Sequence, residues 1–347
     1  MKKSSLILSL FILTVLCYPQ KAPVKQTKPK STAATAAAPA AGTFMATLHN
    51  DLRYVLQEPQ TGNPSKGISG AFASQIDRAA FGYRHSFSGD VTAAVMYDGA
   101  ANALQQGYVD IRNLAPLVDL RIGLSQTLAS ETPERFWQGY RALGKPVLER
   151  LNVNQEFDMG LTVTARTDAP GSSYARLAVY NGSGTAAEND KLKKLALAVG
   201  NWFGSSSILE VYADYENFGN GKKAINGKAF FGMTAASYGG GAELFYRIDT
   251  KVTGTTEKAP AGASLFGWME MMRSLRGMLR ADVVDNDLNK DAGVYREIYV
   301  IAGMDYLPAA EVHLMPNVVY VMNMAKATAP AIADRMELRL TTSVTIK

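Results

Sequence analysis

The residues able to do chemistry are few and scattered. His49, His85 and His313 are the only histidines in the 347-residue chain, and no two lie near each other in sequence. No H-E-x-x-H helix motif, P-loop or G-x-G-x-x-G turn occurs. No serine and histidine are placed as a hydrolase would need them. The single cysteine, Cys17, sits at the end of an apolar N-terminal run. The folded part therefore has no disulfide, thiolate or cysteine–zinc chemistry. Asn181-Gly182-Ser183-Gly184 and Glu188-Asn189-Asp190 offer oxygen ligands, but not at the spacing of a calcium-binding helix–loop–helix. They read as a solvated loop. No catalytic, metal or cofactor residue is assigned, and the expectation is a protein that is not an enzyme.

Charge remains. The stretch 128–152 carries Glu131, Glu134, Arg135, Arg141, Lys145, Glu149 and Arg150, with both signs mixed. Opposed charges across a narrow passage set a field through which polar solutes move. These residues are the candidate constriction. Phe136, Trp137 and Tyr140 either pin this loop to an inner wall or belong to an outer aromatic belt. A second set alternates with apolar residues and would face a polar interior: Arg78, Arg84, Asp119, Arg121, Asp158, Arg166, Arg247, Asp249, Arg280 and Asp282. An ordinary surface loop, or a closed interior knitted by Asp–Arg pairs, is the competing reading of both sets.

The elements that must position these charges are strands. Phe157, Met159, Leu161, Val163 and Ala165 alternate with Glu156, Asp158, Thr162, Thr164 and Arg166. Val118-Asp-Leu-Arg-Ile-Gly-Leu124 behaves likewise. In the last segment Met336, Leu338, Leu340, Thr342, Val344 and Ile346 alternate with Arg335, Glu337, Arg339, Thr341, Ser343 and Thr345. Period 2 is the strand signature. It predicts strands over 44–57, 71–87, 90–98, 105–114, 117–127, 153–166, 172–182, 192–203, 207–217, 226–237, 241–251, 263–275, 277–286, 294–306, 309–323 and 332–346. Turns are expected at Ser88-Gly89-Asp90, Gly204-Ser-Ser206, Gly239-Gly-Gly241 and Arg276-Gly277, and long loops at 128–152, 183–191, 252–262 and 287–293. Only Ala187–Leu197 offers a helical alternative. Short turns against long loops predict an all-β fold, a transmembrane antiparallel barrel of about 16 strands, within roughly 14 to 18. A soluble β-sandwich is the alternative.

Met1-Lys2-Lys3 followed by Leu6–Leu16 reads as a signal peptide over 1–20, too short for a confident membrane-spanning helix. Cys17 is a passive member of it or, alternatively, a lipidated first residue. Residues 21–43, rich in Ala, Pro, Thr and Lys, cannot build a core and read as a flexible tether. The barrel is expected over 44–347. The net charge of +5 comes from the N-terminus, where six lysines precede the first acid, Asp51. The remainder is close to neutral, which argues against a nucleic-acid surface.

Ile76-Asp-Arg-Ala-Ala-Phe-Gly-Tyr-Arg-His-Ser-Phe87, Gly107-Tyr-Val-Asp110, Asp119-Leu-Arg-Ile-Gly123, Glu134-Arg-Phe-Trp-Gln-Gly-Tyr-Arg141, Tyr174-Ala-Arg-Leu-Ala-Val-Tyr-Asn-Gly182 and Glu188-Asn-Asp-Lys191 together resemble a bacterial outer-membrane porin family. This is the phosphate-selective porin O/P-like group in its broad sense, with Bacteroidetes- and Chlorobi-type relatives. The C-terminal half is similar only in pattern, and its final Ile346-Lys347 departs from the aromatic end of many outer-membrane barrels. The resemblance implies a closed barrel in the outer membrane of a Gram-negative-type bacterium and suggests a homotrimer. It does not carry phosphate selectivity, because the near-neutral remainder supplies no excess of lumen cations.

The function expected is passive diffusion of small hydrophilic solutes across the outer membrane. Partners would be outer-membrane lipids and the barrel-insertion machinery, with no nucleic acid and no cofactor. The alternative is a non-conducting barrel that anchors an envelope assembly.

Overall fold

A computed structural model describes residues 41–346 apart from 61–62, 138–139, 169–171, 189–190, 220, 254–255, 291–294 and 328–331. The expected signal peptide and most of the expected tether lie outside the described residues. The first strand begins at Ala41.

Sixteen long strands follow in chain order among the described residues: β1 (Ala41–Gln60), β2 (Ala71–Ser86), β3 (Val91–Asp98), β4 (Ala103–Ala115), β5 (Val118–Gln126), β6 (Phe157–Arg166), β7 (Ser173–Tyr180), β8 (Lys194–Phe203), β9 (Ser207–Gly219), β10 (Lys222–Thr234), β11 (Tyr238–Thr253), β12 (Ala261–Met272), β13 (Leu275–Asp285), β14 (Tyr295–Ala309), β15 (Val312–Ala325) and β16 (Arg335–Ile346). Each pairs antiparallel with its sequence neighbour. The sheet then closes, with β1 pairing β16 from Ala46↔Ile346 to Gln57↔Met336. Short strands Asn63–Ile68 and Thr256–Lys258 merely extend β1 and β11 beyond the wall. Closure removes every free edge, which a sheet in hydrocarbon requires.

The alternation runs inside out relative to a water-soluble core. On β8, Leu195, Leu197 and Val199 are nearly half exposed, while Lys194, Ala196 and Ala198 are buried. On β9, Leu209 and Val211 face out, while Glu210, Tyr212 and Asp214 face in. An apolar exterior around a charged interior is stable only where lipid covers the outside. Exposed rings mark both margins of this band. Phe44, Phe87, Phe203, Tyr238 and Tyr306 lie toward the rim of short turns, and Tyr54, Phe72, Phe218 and Tyr246 toward the rim of long loops. Such girdles sit at the two membrane interfaces. No helix among the described residues is long and apolar enough to cross a membrane.

Three local expectations are corrected. Gly239, Gly240 and Gly241 lie within β11, and the turn falls at 235–237. The triplet serves packing: a Cβ on Gly239 would stand 2.9 Å from Trp268 Nε1, and one on Gly241 2.8 Å from Phe230 and Phe266. Gly277 likewise belongs to β13, after a turn at 273–274. The helical alternative at Ala187–Leu197 gives way to β8, whose leucines alternate along the lipid face.

Candidate functional site

The longest connection, 127–156, starts and ends on the long-loop rim and folds into the barrel. It contains α1 (Leu128–Trp137) and α2 (Val147–Arg150), helices that period-2 reasoning did not anticipate. Small wall residues let α1 approach: Leu128 and Ala129 pack on Ala178, Ala196, Ala198, Tyr180 and Tyr212. Pro133 has no N–H, so the carbonyl four residues earlier, that of Ala129, loses its helical donor. Lys228 Nζ of β10 donates to that carbonyl at 2.5 Å.

Phe136, Trp137 and Tyr140 lie inside the barrel, not in an outer belt. With Ala142 and Leu143 they pack against Tyr174, Ile208, Phe230, Phe266, Met278, Tyr299 and Ile301 of the wall. The Trp137 indole donates to Gly144 O at 2.8 Å, closing the loop on itself. Val147, Leu148 and Val153 continue the contact onto Phe245 and Val284. Polar pins run beside the apolar layer. Thr132 donates to Glu210 (2.7 Å), Arg280 to the carbonyl of Lys145 (2.6 Å), Arg247 to that of Val153 (2.7 Å), and Asn154 to Asp214 (3.1 Å). The loop is thus held along its length to the β7–β14 side of the wall.

Of the loop charges, Glu131 accepts from Arg176 at 2.7 Å. Glu134 pairs with Arg141 at 3.2 Å and accepts from Gln126. Arg135 is exposed and lies over the Trp202 ring, 4.7 Å from its centroid. Arg141 also reaches Glu149 and Glu156. Lys145 pairs with Glu149 at 3.2 Å. Arg150 spans to Asp282 and Glu297 and stacks on Tyr299. Burial pushes the Glu134 carboxyl above its ordinary range, against the pull of Arg141. Burial also raises Glu156 to about 7, against Arg141 and Arg78.

The wall candidates divide. Arg78, Asp119, Arg121 and Arg166 border open space in the lumen. Arg84 is exposed near the short-turn rim, with its guanidinium 3.4 Å from Tyr108 Oη. Asp158, Arg280 and Asp282 are almost fully buried, and Arg247 nearly so with Asp249 as its partner at 2.5 Å. These are spent on fastening the loop and the rim instead of facing water. Asp158 accepts from the backbone N–H of Gly182 at 2.9 Å, and Arg280 grips Asp282 at 2.8 Å.

Among the described residues, two open charged spaces border the loop. The larger, about 950 Å³, opens toward the long-loop rim between the loop and β1, β2 and β14–β16. Asp51, Arg53, Asp77, Arg335 and Arg339 line its wall, opposite Arg141, Lys145, Glu149 and Arg150. The smaller, about 290 Å³, lies toward the short-turn rim between Glu131 and the wall residues Asp110, Arg112, Asp119, Arg121, Arg166 and Arg176. Sequence reasoning names none of Asp51, Arg53, Glu156, Arg176, Arg335 and Arg339 as site candidates. For Arg335 and Arg339 the signal was present, since both alternate with the outward leucines of β16. The alternation puts Glu156 on the polar face of a strand over 153–166, but the strand starts at Phe157, and only the inward fold of the loop gives Glu156 its partners.

No protein-family model and no curated protein sequence matches the chain. Its fold does match solved structures. The outer membrane protein OmpT of Vibrio cholerae, in a trimer form, superposes with a TM-score of 0.63 at 11% identity, over 88% of this chain and 99% of that one. The anion-selective porin from Comamonas acidovorans gives 0.62 at 11%, over 88% and 100%. The outer membrane channel DcaP of Acinetobacter baumannii gives 0.61 at 11%, over 88% and 97%. At such identity the likeness is one of fold. The chain has the sixteen-stranded, antiparallel, porin-type β-barrel fold of these outer-membrane proteins.

Proposed function

We propose that the barrel is a passive diffusion channel for small hydrophilic solutes, narrowed by the loop 127–156. One observation carries this reading: a charged space of about 950 Å³ remains beside the inward loop. The loop leaves this side of the lumen to water while filling the other with aromatic rings. A barrel of about 16 strands is wide enough to hold a water path once side chains line it. A porin and a channel among the structural neighbours agree with the reading. The charges on the two sides of the outer space are mixed, with seven lysines and arginines against five carboxylates, so the ionic preference is modest.

The narrower kinship with the phosphate-selective O/P-like group rests on the six segments quoted above, and belongs to this proposal. So do a homotrimeric assembly, for which the trimer form of OmpT is a precedent, and delivery by the barrel-insertion machinery. Single-channel recording in planar bilayers tests the reading. The intact protein gives discrete steps, and removal of residues 130–148 with the barrel preserved enlarges them. Folded protein that gives no steps would instead make the barrel an envelope anchor whose loop is a plug. Steps unchanged by the deletion would keep the channel and reject this loop as its constriction.

A further inference from the structure

The two spaces share no lining residue. On the edge of the larger space a cluster of largely buried charges joins the free edge of the loop to the facing wall. Arg141 of the loop donates to Glu149 at 2.7 Å and to Glu156 at 2.5 Å, and stands 3.2 Å from Glu134. Arg78 of β2 donates to Glu156 at 2.6 Å, with Asp98 of β3 at 3.8 Å. Both guanidiniums converge on the same oxygen, Glu156 Oε2. Glu156 is therefore the shared counter-ion that ties wall to loop on this side. Without it, Arg78 keeps Asp98 and Arg141 keeps Glu134 and Glu149, each on its own side.

The charge count of this cluster does not balance. Four carboxylates, Asp98, Glu134, Glu149 and Glu156, surround two guanidiniums. Lys145 reaches Glu149 at 3.2 Å, but its side chain is 62% exposed. His49 of β1 faces the same guanidiniums, with His313 of β15 behind it, and His313 is already bonded to Asp305 at 2.9 Å. Carboxylates crowded out of water cannot all ionise without a matching cation. The docked arrangement thus favours one bound proton.

We propose that Glu156 and its two guanidiniums form a proton-dependent latch: the loop edge docks on β2 while the cluster holds a proton, and swings free when the cluster loses it. The latch deepens the channel reading and rests on it. Linkage sets its sign. A carboxyl in the docked cluster titrates higher than one released to water, so protons favour the docked state and acid narrows the path. The raised titration of Glu156, about 7, agrees with this direction: docking weakens as pH rises from the ordinary carboxylate range toward that value. Release moves only the Arg141 edge, because Arg280 and Arg150 hold the opposite side of the loop.

Single-channel conductance of the full-length protein, measured from about pH 4.5 to about pH 8.5, tests the proposal. The wild type rises roughly 1.5-fold or more between the acid end and about pH 7, and levels off above it. Glu156→Gln, which keeps the hydrogen-bond acceptor without the charge, stays at the low acid value at every pH. Arg78→Gln, which removes the wall side of the latch, gives the high value at every pH. Heat-modifiable migration of each variant checks that the barrel has formed. Conductance that ignores pH in the wild type, or Glu156→Gln that still titrates like the wild type, would overturn the latch and leave the channel standing. Absence of steps from folded wild type and from Arg78→Gln alike would overturn both.

Discussion

At the residue scale, the informative positions are buried charges whose partners lie far away in sequence. Lys228 is the clearest. Its ammonium is fully enclosed, 3.8 Å from Glu210 and 4.0 Å from Glu243, and it caps the Ala129 carbonyl that Pro133 leaves without a donor. Glu210 in turn accepts from Thr132 and Tyr174. One lysine thus couples a helix defect in the loop to two carboxylates of the wall. Lys228→Met keeps the apolar stem and removes the charge. Two buried carboxylates then lose a cation, at a cost of about 3–5 kcal/mol. The expected outcome is a lower urea midpoint for refolded barrel, while Glu210→Gln in the same background recovers part of the loss. An unchanged midpoint would mean that water reaches this site.

At the scale of elements, loop 127–156 has a packing layer of its own. Trp137 is 2% exposed, with its ring 5.0 Å from that of Phe266, and it stands under Arg280, whose guanidinium is 5.5 Å away. The wall made room for such rings with glycine. A Cβ on Gly232 would stand 2.7 Å from Phe136. Trp137→Ala therefore removes a central ring and the tie to Gly144, costing about 3–5 kcal/mol of docking. Because the strands close independently of the loop, this cost falls on the loop alone. Limited trypsin digestion should cut at Arg141 or Arg150 far faster than in the parent, while the barrel core stays protected. A variant as resistant as the parent would show that the polar pins suffice.

At the scale of the whole molecule, stability rests on closure. β1 meets β16 from Ala46 to Gln57 and β2 from Ala41 to Val55, so every contact that seals the barrel lies within the described strands. Deleting residues 21–40 is expected to leave a barrel that fractionates with the outer membrane and migrates faster in detergent gels before heating than after. Loss of that shift would mean that the barrel needs the segment in order to close. Recovery of the parent protein in the soluble periplasmic fraction would contradict the lipid-facing band itself.

The sequence by itself determined the strands, because pairing with a neighbour on each side and lipid on one face impose period 2 wherever a strand crosses. The Leu338, Leu340 and Arg339, Thr341 alternation of β16 needs no tertiary knowledge to read. It also marked the loop, since its charges and rings follow no such period. Where those rings point was not legible. Phe136, Trp137 and Tyr140 suit an interface belt and an inner wall equally, and only the glycines and alanines of β7–β11, brought together by the curved sheet, decide for the inside. The turn glycines misled for the same reason: Gly239 and Gly241 look like chain reversal in one dimension and are ring seats in three. The charge pairs lay furthest from reach. Arg78 lies on β2 and Glu156 at the end of the loop, just before β6, which is no neighbour of β2 in the sheet, and they touch because the loop returns across the lumen. Local alternation is a property of each strand and its solvent, whereas a contact across the barrel depends on closure, loop path and side-chain volume together.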